Sequence, residues 1–310
     1  MVYELNIGIV LFIMSGFQEE MNVVQSLAQP LMNGILLGGL YALIGIGMSM
    51  VFGIMKLTNL AHGDLLVLSS YLSFALTRAL GLNPLLTVVL VTPVMFFIGY
   101  AFQSFLLNRI LGEGSESPLL VTFGISIILQ NSLLAVFSPD ARSLTSNLAT
   151  QSITITNYLS IPVIYLVDFF VACIVILVLS LFLQNTYQGR AIRAASDDGN
   201  VAKLMGINIK RIYNIAMGIA MMTAAIAGVL VGMTYNFYPY TGTQYLIIAF
   251  GVVVIGGMGS ISGTLVAGVI LGLAQVLGAH FLGAGMQLLS GYIVLLAMLV
   301  LRPQGLFAHN

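Results

Sequence analysis

Pro162-Val163-Ile164-Tyr165-Leu166-Val167-Asp168-Phe169-Phe170-Val171-Ala172-Cys173-Ile174-Val175-Ile176-Leu177-Val178-Leu179-Ser180-Leu181-Phe182-Leu183 is a run of 22 residues carrying one charge. A hydrocarbon core about 30 Å thick is crossed by about 20 helical residues, so this run predicts a membrane span. Apolar runs of comparable length, bounded by polar, proline or charged residues, occur at 31–55, 62–80, 85–107, 118–137 and 212–235. From Tyr245 to Leu301 the chain is almost uniformly apolar but broken by Gly256, Gly257, Gly259, Ser260, Ser262 and Gly263, then by His280, Gly283 and Gly285. It divides into segments at about 244–258, 264–282 and 286–301. The first and last are short for a span, which predicts broken or re-entrant helices whose backbone is satisfied by neighbouring protein.

The composition agrees. Of 310 residues, 59% are hydrophobic and 6% charged, against about 25% charged in a soluble domain. Mean hydropathy is +1.05 and there are 33 glycines, which lets membrane helices approach closely. Zero net charge argues against a nucleic-acid binder, which needs cations to neutralise phosphates. The lone cysteine, Cys173, permits no intrachain disulfide. The expected fold is therefore an all-α integral membrane protein, a polytopic bundle of about nine to ten transmembrane or re-entrant helices.

Orientation follows from basic residues, which collect in cytoplasmic loops. With the loop 184–211 placed inside, the inside set is Lys56, Arg109, Arg190, Arg193, Lys203, Lys210, Arg211 and Arg302, and the outside set is Arg78 and Arg142. The apolar run Leu5 to Phe17 is short for a span, so residues 1–24 are read either as a short extra span or as an extension upstream of a start at Met21. Residues 25–310 are expected to form a single transmembrane domain. In the long external loop, Ser152-Ile153-Thr154-Ile155-Thr156 alternates polar and β-branched residues and predicts a short strand or hairpin over the outer mouth. Pairs Gly34/Gly38, Gly228/Gly232 and Gly268/Gly272, spaced i and i+4, predict close helix packing.

The inside loop is the most informative stretch. Ser196 is positioned to cap a helix running from Asp197 to Met205, with Asp197 and Asp198 in its first turn, Lys203 in its last and Gly206 just beyond. Val201, Leu204 and Met205 then share one apolar face. A short capped amphipathic helix outside the bilayer reads as a docking surface.

Three segments together carry a family likeness. They are Arg190-Ala191-Ile192-Arg193-Ala194 with Ala202, Gly206-Ile207-Asn208 and Arg211; Thr58-Asn59-Leu60-Ala61-His62-Gly63-Asp64; and Ile255-Gly256-Gly257-Met258-Gly259-Ser260-Ile261-Ser262-Gly263. In this order and at these places relative to the spans, the chain resembles the permease subunits of branched-chain amino acid ABC importers, a superfamily that includes sugar and urea importers. The likeness runs from about Gln25 to Phe307. It implies a channel architecture like that of vitamin B12-type importer permeases, paired with a second permease subunit that is either a paralogue or a second copy. It also implies two cytoplasmic ATP-binding subunits, a periplasmic or lipid-anchored substrate-binding protein, and residence in the bacterial or archaeal plasma membrane, the inner membrane in a Gram-negative cell. The loop carrying Arg193, Asp197, Val201, Leu204, Met205 and Gly206 would be the element seated on the ATPase. No G-x-x-x-x-G-K-[ST] phosphate loop occurs in the sequence, so ATP chemistry is expected on partners. The permease is not expected to be an enzyme or to need a cofactor or metal.

Other polar residues are candidates in or near the spans. His62 and Asp64, at the inside edge of the second run, are read as structural or as a gate. Asp168, about 9 Å into its span by helical rise, would line a pathway, pair with Arg142 or reach the outer surface. Gln130 and Asn131 are read as interhelical hydrogen bonds. The rival to an ABC permease is a gradient-driven secondary transporter of a small polar solute. That class usually needs titratable groups near the midplane, and Asp168 is the single candidate in the sequence.

Overall fold

The computed structural model describes residues 26–110, 116–156 and 159–307. Helix α1 is assigned as Val2–Met55 and is described from Ser26; the two readings of residues 1–24 fall outside the described residues. The other α-helices of six or more residues are α2 (His62–Leu80), α3 (Pro84–Phe102, whose segment is continued by a π turn at Gln103–Leu107 and by Asn108–Ile110), α4 (Glu116–Phe137), α5 (Val163–Asn185), α6 (Tyr187–Asp197), α7 (Gly199–Leu204), α8 (Ile209–Thr234), α9 (Gly242–Gly256), α10 (Ile261–Leu282) and α11 (Gln287–Leu301). Seven segments of the described chain are long and apolar enough to cross a membrane, and the chain is a multi-pass membrane protein. The expected span edges agree with these helices to within a few residues.

Helix α1 is the hub. Its apolar stretch is 89% buried, against 17% for α4 and 6% for α11, and it packs on α5, α8, α9 and α10. Its closest neighbour is α10, and glycine is the reason. Gly34 faces Gly272 and Leu273, and Gly38 faces Gly268 and Val269. A methyl on Gly34 would stand 2.9 Å from the Leu273 Cα, a separation that requires backbone movement. With no hydrophobic force between helices in lipid, such backbone proximity supplies the dispersion contact that holds them. The third pair divides: Gly228 of α8 lies on the Leu66 carbonyl and Ser69 of α2, whereas Gly232 faces the side chains of Leu144 and Phe237, outside any helix.

Helices α2 and α9 begin inside the bundle. After α1 ends at Met55, residues 56–61 turn back, and the His62 ring Nε2 lies 3.1 Å from the Ile44 carbonyl. Ile44 is 11 residues above Met55, so α2 starts about 16 Å from the inner end of α1. At the same place Gly63 abuts the Gly242 carbonyl at the start of α9. The broken-helix expectation thus holds for the 244–258 segment. The 286–301 segment instead gains a 3-10 turn, Ala284–Met286, and reaches span length with it. The second broken element is α2, which the hydropathy pattern presented as an ordinary span.

Between α4 and α5, β1 (Ser152–Thr156) and β2 (Leu159–Pro162) form the expected antiparallel hairpin. Gln29 of α1 fastens it, donating to the Ser160 carbonyl and accepting from the Ser160 amide at 2.8 Å.

Candidate functional site

The inside loop folds as two short helices. Thr186 caps α6, its hydroxyl accepting from the Gly189 amide at 2.9 Å. The cap of α7 is Asp198, whose Oδ1 accepts from the amides of Asn200 (2.8 Å) and Val201 (3.1 Å). This corrects the expected start. Ser196 and Asp197 belong to α6, and the Ser196 hydroxyl donates to the Gly53 carbonyl at 2.7 Å. Ser and Asp both make good caps; the backbone is extended at Asp198, so Asp198 holds the position where the chain turns. Lys203 occupies the last turn as expected, and Gly206 has φ +81°, a left-handed conformation that glycine adopts without Cβ strain.

Ala202 is buried and anchors α7 to the body. Its other face is open: Val201, Leu204 and Met205 are 54%, 87% and 80% exposed. These three apolar side chains lie between α5 and α8, outside the segments long enough to span. Beside them, a cleft of about 750 Å³ runs between Asn108 and Arg109 at the end of the α3 segment and the α7–α8 turn. Arg193 is set apart from that face. It lines a separate cavity of about 370 Å³ with Gly53, Ser196 and Ser260, under the reversal between α9 and α10.

That reversal is the glycine-rich 256–263 segment. Gly257 and Gly259 have φ +96° and +85°, Gly53 of α1 lies against Gly259, and Ser260 caps α10 through the Gly263 amide at 3.1 Å. It is a tight inter-helix turn with no strand before it, unlike a phosphate loop.

His62 and Asp64 sit at the buried start of α2, not at the inside edge. Hydropathy reports the length of an apolar run but not the depth at which it begins, and the turn-back of residues 56–61 carries both residues inward. Asp64 accepts hydrogen bonds from Ser126 Oγ and, at 3.0 Å, from Gln130 Nε2, both on α4. The Leu60 amide donates to Thr122 Oγ1 at 3.2 Å. Thr122, Ser126 and Gln130 are spaced i, i+4, i+8, a polar stripe along one face of an otherwise apolar helix. That spacing is readable in the sequence, and it adds Thr122 and Ser126 to the expected Gln130. Asn131 makes no interhelical bond among the described residues: it donates to the Ile127 carbonyl of its own helix at 2.8 Å.

Asp168 is 1% exposed and neither reaches the outer surface nor pairs with Arg142, which faces Asp140 at 3.7 Å. Its Oδ2 accepts from Thr234 Oγ1 at 2.9 Å, and its Oδ1 has no hydrogen-bond partner among the described residues. A second polar contact, missed in the sequence, lies in the same core. The Tyr41 hydroxyl donates to Gln275 Oε1 at 2.6 Å, linking α1 to α10 beyond the reach of any local pattern.

The chain matches a family model described as branched-chain amino acid transport system / permease component over residues 31–302. The high-affinity branched-chain amino acid transport system permease protein BraD of Pseudomonas aeruginosa is 31% identical over 293 residues, covering 91% of this chain and 95% of BraD. The corresponding LivH protein of Escherichia coli (strain K12) is also 31% identical, with the same coverage. LivM of Salmonella typhimurium, named as a permease protein of the same kind of system, is 26% identical over 292 residues, covering 86% of this chain and 67% of LivM.

Proposed function

The chain belongs to the family of branched-chain amino acid transport permease components, and from that membership we propose that it forms part of the membrane passage of an importer for branched-chain amino acids, with ATP hydrolysed on separate cytoplasmic subunits. Residues 25–310 act as one transmembrane domain in the plasma membrane, the inner membrane in a Gram-negative cell. The second permease subunit is a paralogue of the LivM kind or another copy of this chain, and an external binding protein delivers cargo at the face bearing the β1–β2 hairpin.

One observation carries the coupling role. Val201, Leu204 and Met205 are exposed together on a capped helix in the inside loop, where water is the alternative to a partner. We assign this face, with Gly206 as its turn and Arg193 and Asp197 on the preceding helix, to contact with the ATPase. Burying one Leu side chain contributes roughly 1.5–3 kcal/mol, so a partner groove receiving three apolar residues gains affinity without any bond to the spans. Asp168, buried with one carboxylate oxygen unpartnered, is the residue we assign to the passage, where it would meet the ammonium group of the cargo. His62 and Asp64 serve the architecture of the α2 start rather than a gate, because their recorded partners are the Ile44 backbone and the side chains of α4.

The test of docking is ATP hydrolysis by the reconstituted complex in vesicles, with and without loaded binding protein. Leu204→Asp removes the burial and brings a charge to be desolvated against the partner, and stimulation should be lost while the permease still inserts. Stimulation at the wild-type level by this variant would end the docking role.

A further inference from the structure

Among the described residues, the cleft beside α7 is lined by Arg109, Lys203 and Lys210 and by no acidic side chain. None of these three cations has an ion-pair partner among the described residues, where the single salt bridge is Arg142 with Asp140 on the outer side. The acid nearest in sequence to Lys203, Asp198, is occupied with the amides of Asn200 and Val201.

The walls are held in place without an anion. Asn108 donates to Asn214 Oδ1 at 2.7 Å and so ties the α3 segment to α8. Asn208 caps α8 through the Arg211 amide at 3.1 Å, and the Ile207 amide donates to the Ala202 carbonyl at 3.1 Å. Like charges collected in a preformed concave site raise its potential and attract a complementary anion. The cleft is also continuous with the exposed apolar face of α7, because Lys203 belongs to both.

We propose that this cleft receives an acidic segment of the cytoplasmic ATP-binding partner, so that charge at the cleft sets the register in which the apolar face of α7 docks. The proposal rests on the docking role assigned to α7 above and adds the chemistry of the partner's surface. Its volume, about 750 Å³, is ample for carboxylate side chains from one helix or loop, and continuity with α7 favours a protein over a lipid headgroup. A charged rim of this kind governs association rate and salt dependence, while apolar burial sustains the complex.

The experiment uses the assembled complex in nanodiscs of purely zwitterionic lipid and, in parallel, in discs containing anionic lipid. Release of the ATP-binding subunits is measured against salt for the wild type, Lys203→Glu/Lys210→Glu and Leu204→Asp, with gel filtration confirming each folded permease. The charge-reversed variant should hold the subunits about tenfold less tightly at low salt, with the salt dependence flattened, in both kinds of disc. Wild-type affinity and salt slope in that variant, with Leu204→Asp still releasing the subunits, would overturn the acidic segment alone and leave the docking role standing. Retention by all variants would remove both. An effect confined to discs containing anionic lipid would overturn the proposal in favour of a headgroup in the cleft.

Discussion

The α1–α10 seam and the α6–α8 loop are built on opposite terms. In the seam, Gly34, Gly38, Gly268 and Gly272 bring two backbones into contact, and all four glycines are buried within the chain. In the loop, secondary structure is completed by Thr186, Asp198 and Asn208 as caps, yet the apolar face it carries is left open. Local order is finished in both regions; tertiary burial is finished only in the seam. Damage to the seam should therefore show as loss of the folded protein, and damage to the loop as loss of assembly from a protein that folds normally.

The largest effect is expected at Gly38. A side chain there would overlap the Val269 backbone, whose nitrogen is 2.8 Å from the position a Cβ would take. Gly38→Leu should abolish monodisperse permease on gel filtration in detergent, because neither helix backbone can retreat without opening the rest of the seam. A well-folded Gly38→Leu protein would erase the distinction between the two regions. Leu204→Asp, at the open face, should leave the melting temperature in detergent close to that of the wild type while ATPase stimulation is lost. Concurrent loss of thermal stability would mean that the loop is finished internally after all.

Helix α4 lies between these extremes and sharpens the comparison. It is mostly exposed, and its recorded side-chain ties to α2 and the preceding turn are those of Thr122, Ser126 and Gln130. Asp64→Leu leaves the two donors to Asp64 without their acceptor, at about 1–3 kcal/mol for each that stays buried and unsatisfied. The expected outcome is faster hydrogen exchange confined to α4, with the seam unchanged. Uniform exchange across both would show that α4 is held by packing and that its polar stripe is incidental.

The smallest structural effect is expected at Asp168. Asp168→Asn can still accept from Thr234, so stability and subunit composition should be unchanged, while a passage role requires that amino acid uptake fall. Full uptake by this variant would remove Asp168 from the passage and return it to the packed core.

Much of this architecture is legible in the sequence, for physical reasons that also mark where reading stops. Span edges are legible because a 30 Å slab demands about 20 apolar residues. The hairpin is legible because Ser152 to Thr156 alternate in chemistry, and the seam because glycines recur at i, i+4. The depth of His62 and Asp64 is not, since the turn at 56–61 is set by what α1, α4 and α9 offer it. The cap of α7 lies two residues beyond the position the sequence predicts, because Ser196 and Asp198 are both competent caps and a tertiary bond from Ser196 to the Gly53 carbonyl decides between them. Tyr41 and Gln275 are 234 residues apart, and no local periodicity links them. The exposed face of α7 was legible as amphipathic. That all of it remains open, next to a cleft lined by Arg109, Lys203 and Lys210, required the packed chain.

The seam also imposes a schedule on biosynthesis. Gly38 leaves the ribosome 230 residues before Gly268, an interval on the order of 10–50 s at ordinary translation rates. Throughout it the most buried helix of the protein has no α10 to lie against, and its glycine face is presented to lipid, to the insertion machinery or to the wrong neighbour. Whatever shelters α1 during that wait acts on a surface that the finished protein never displays.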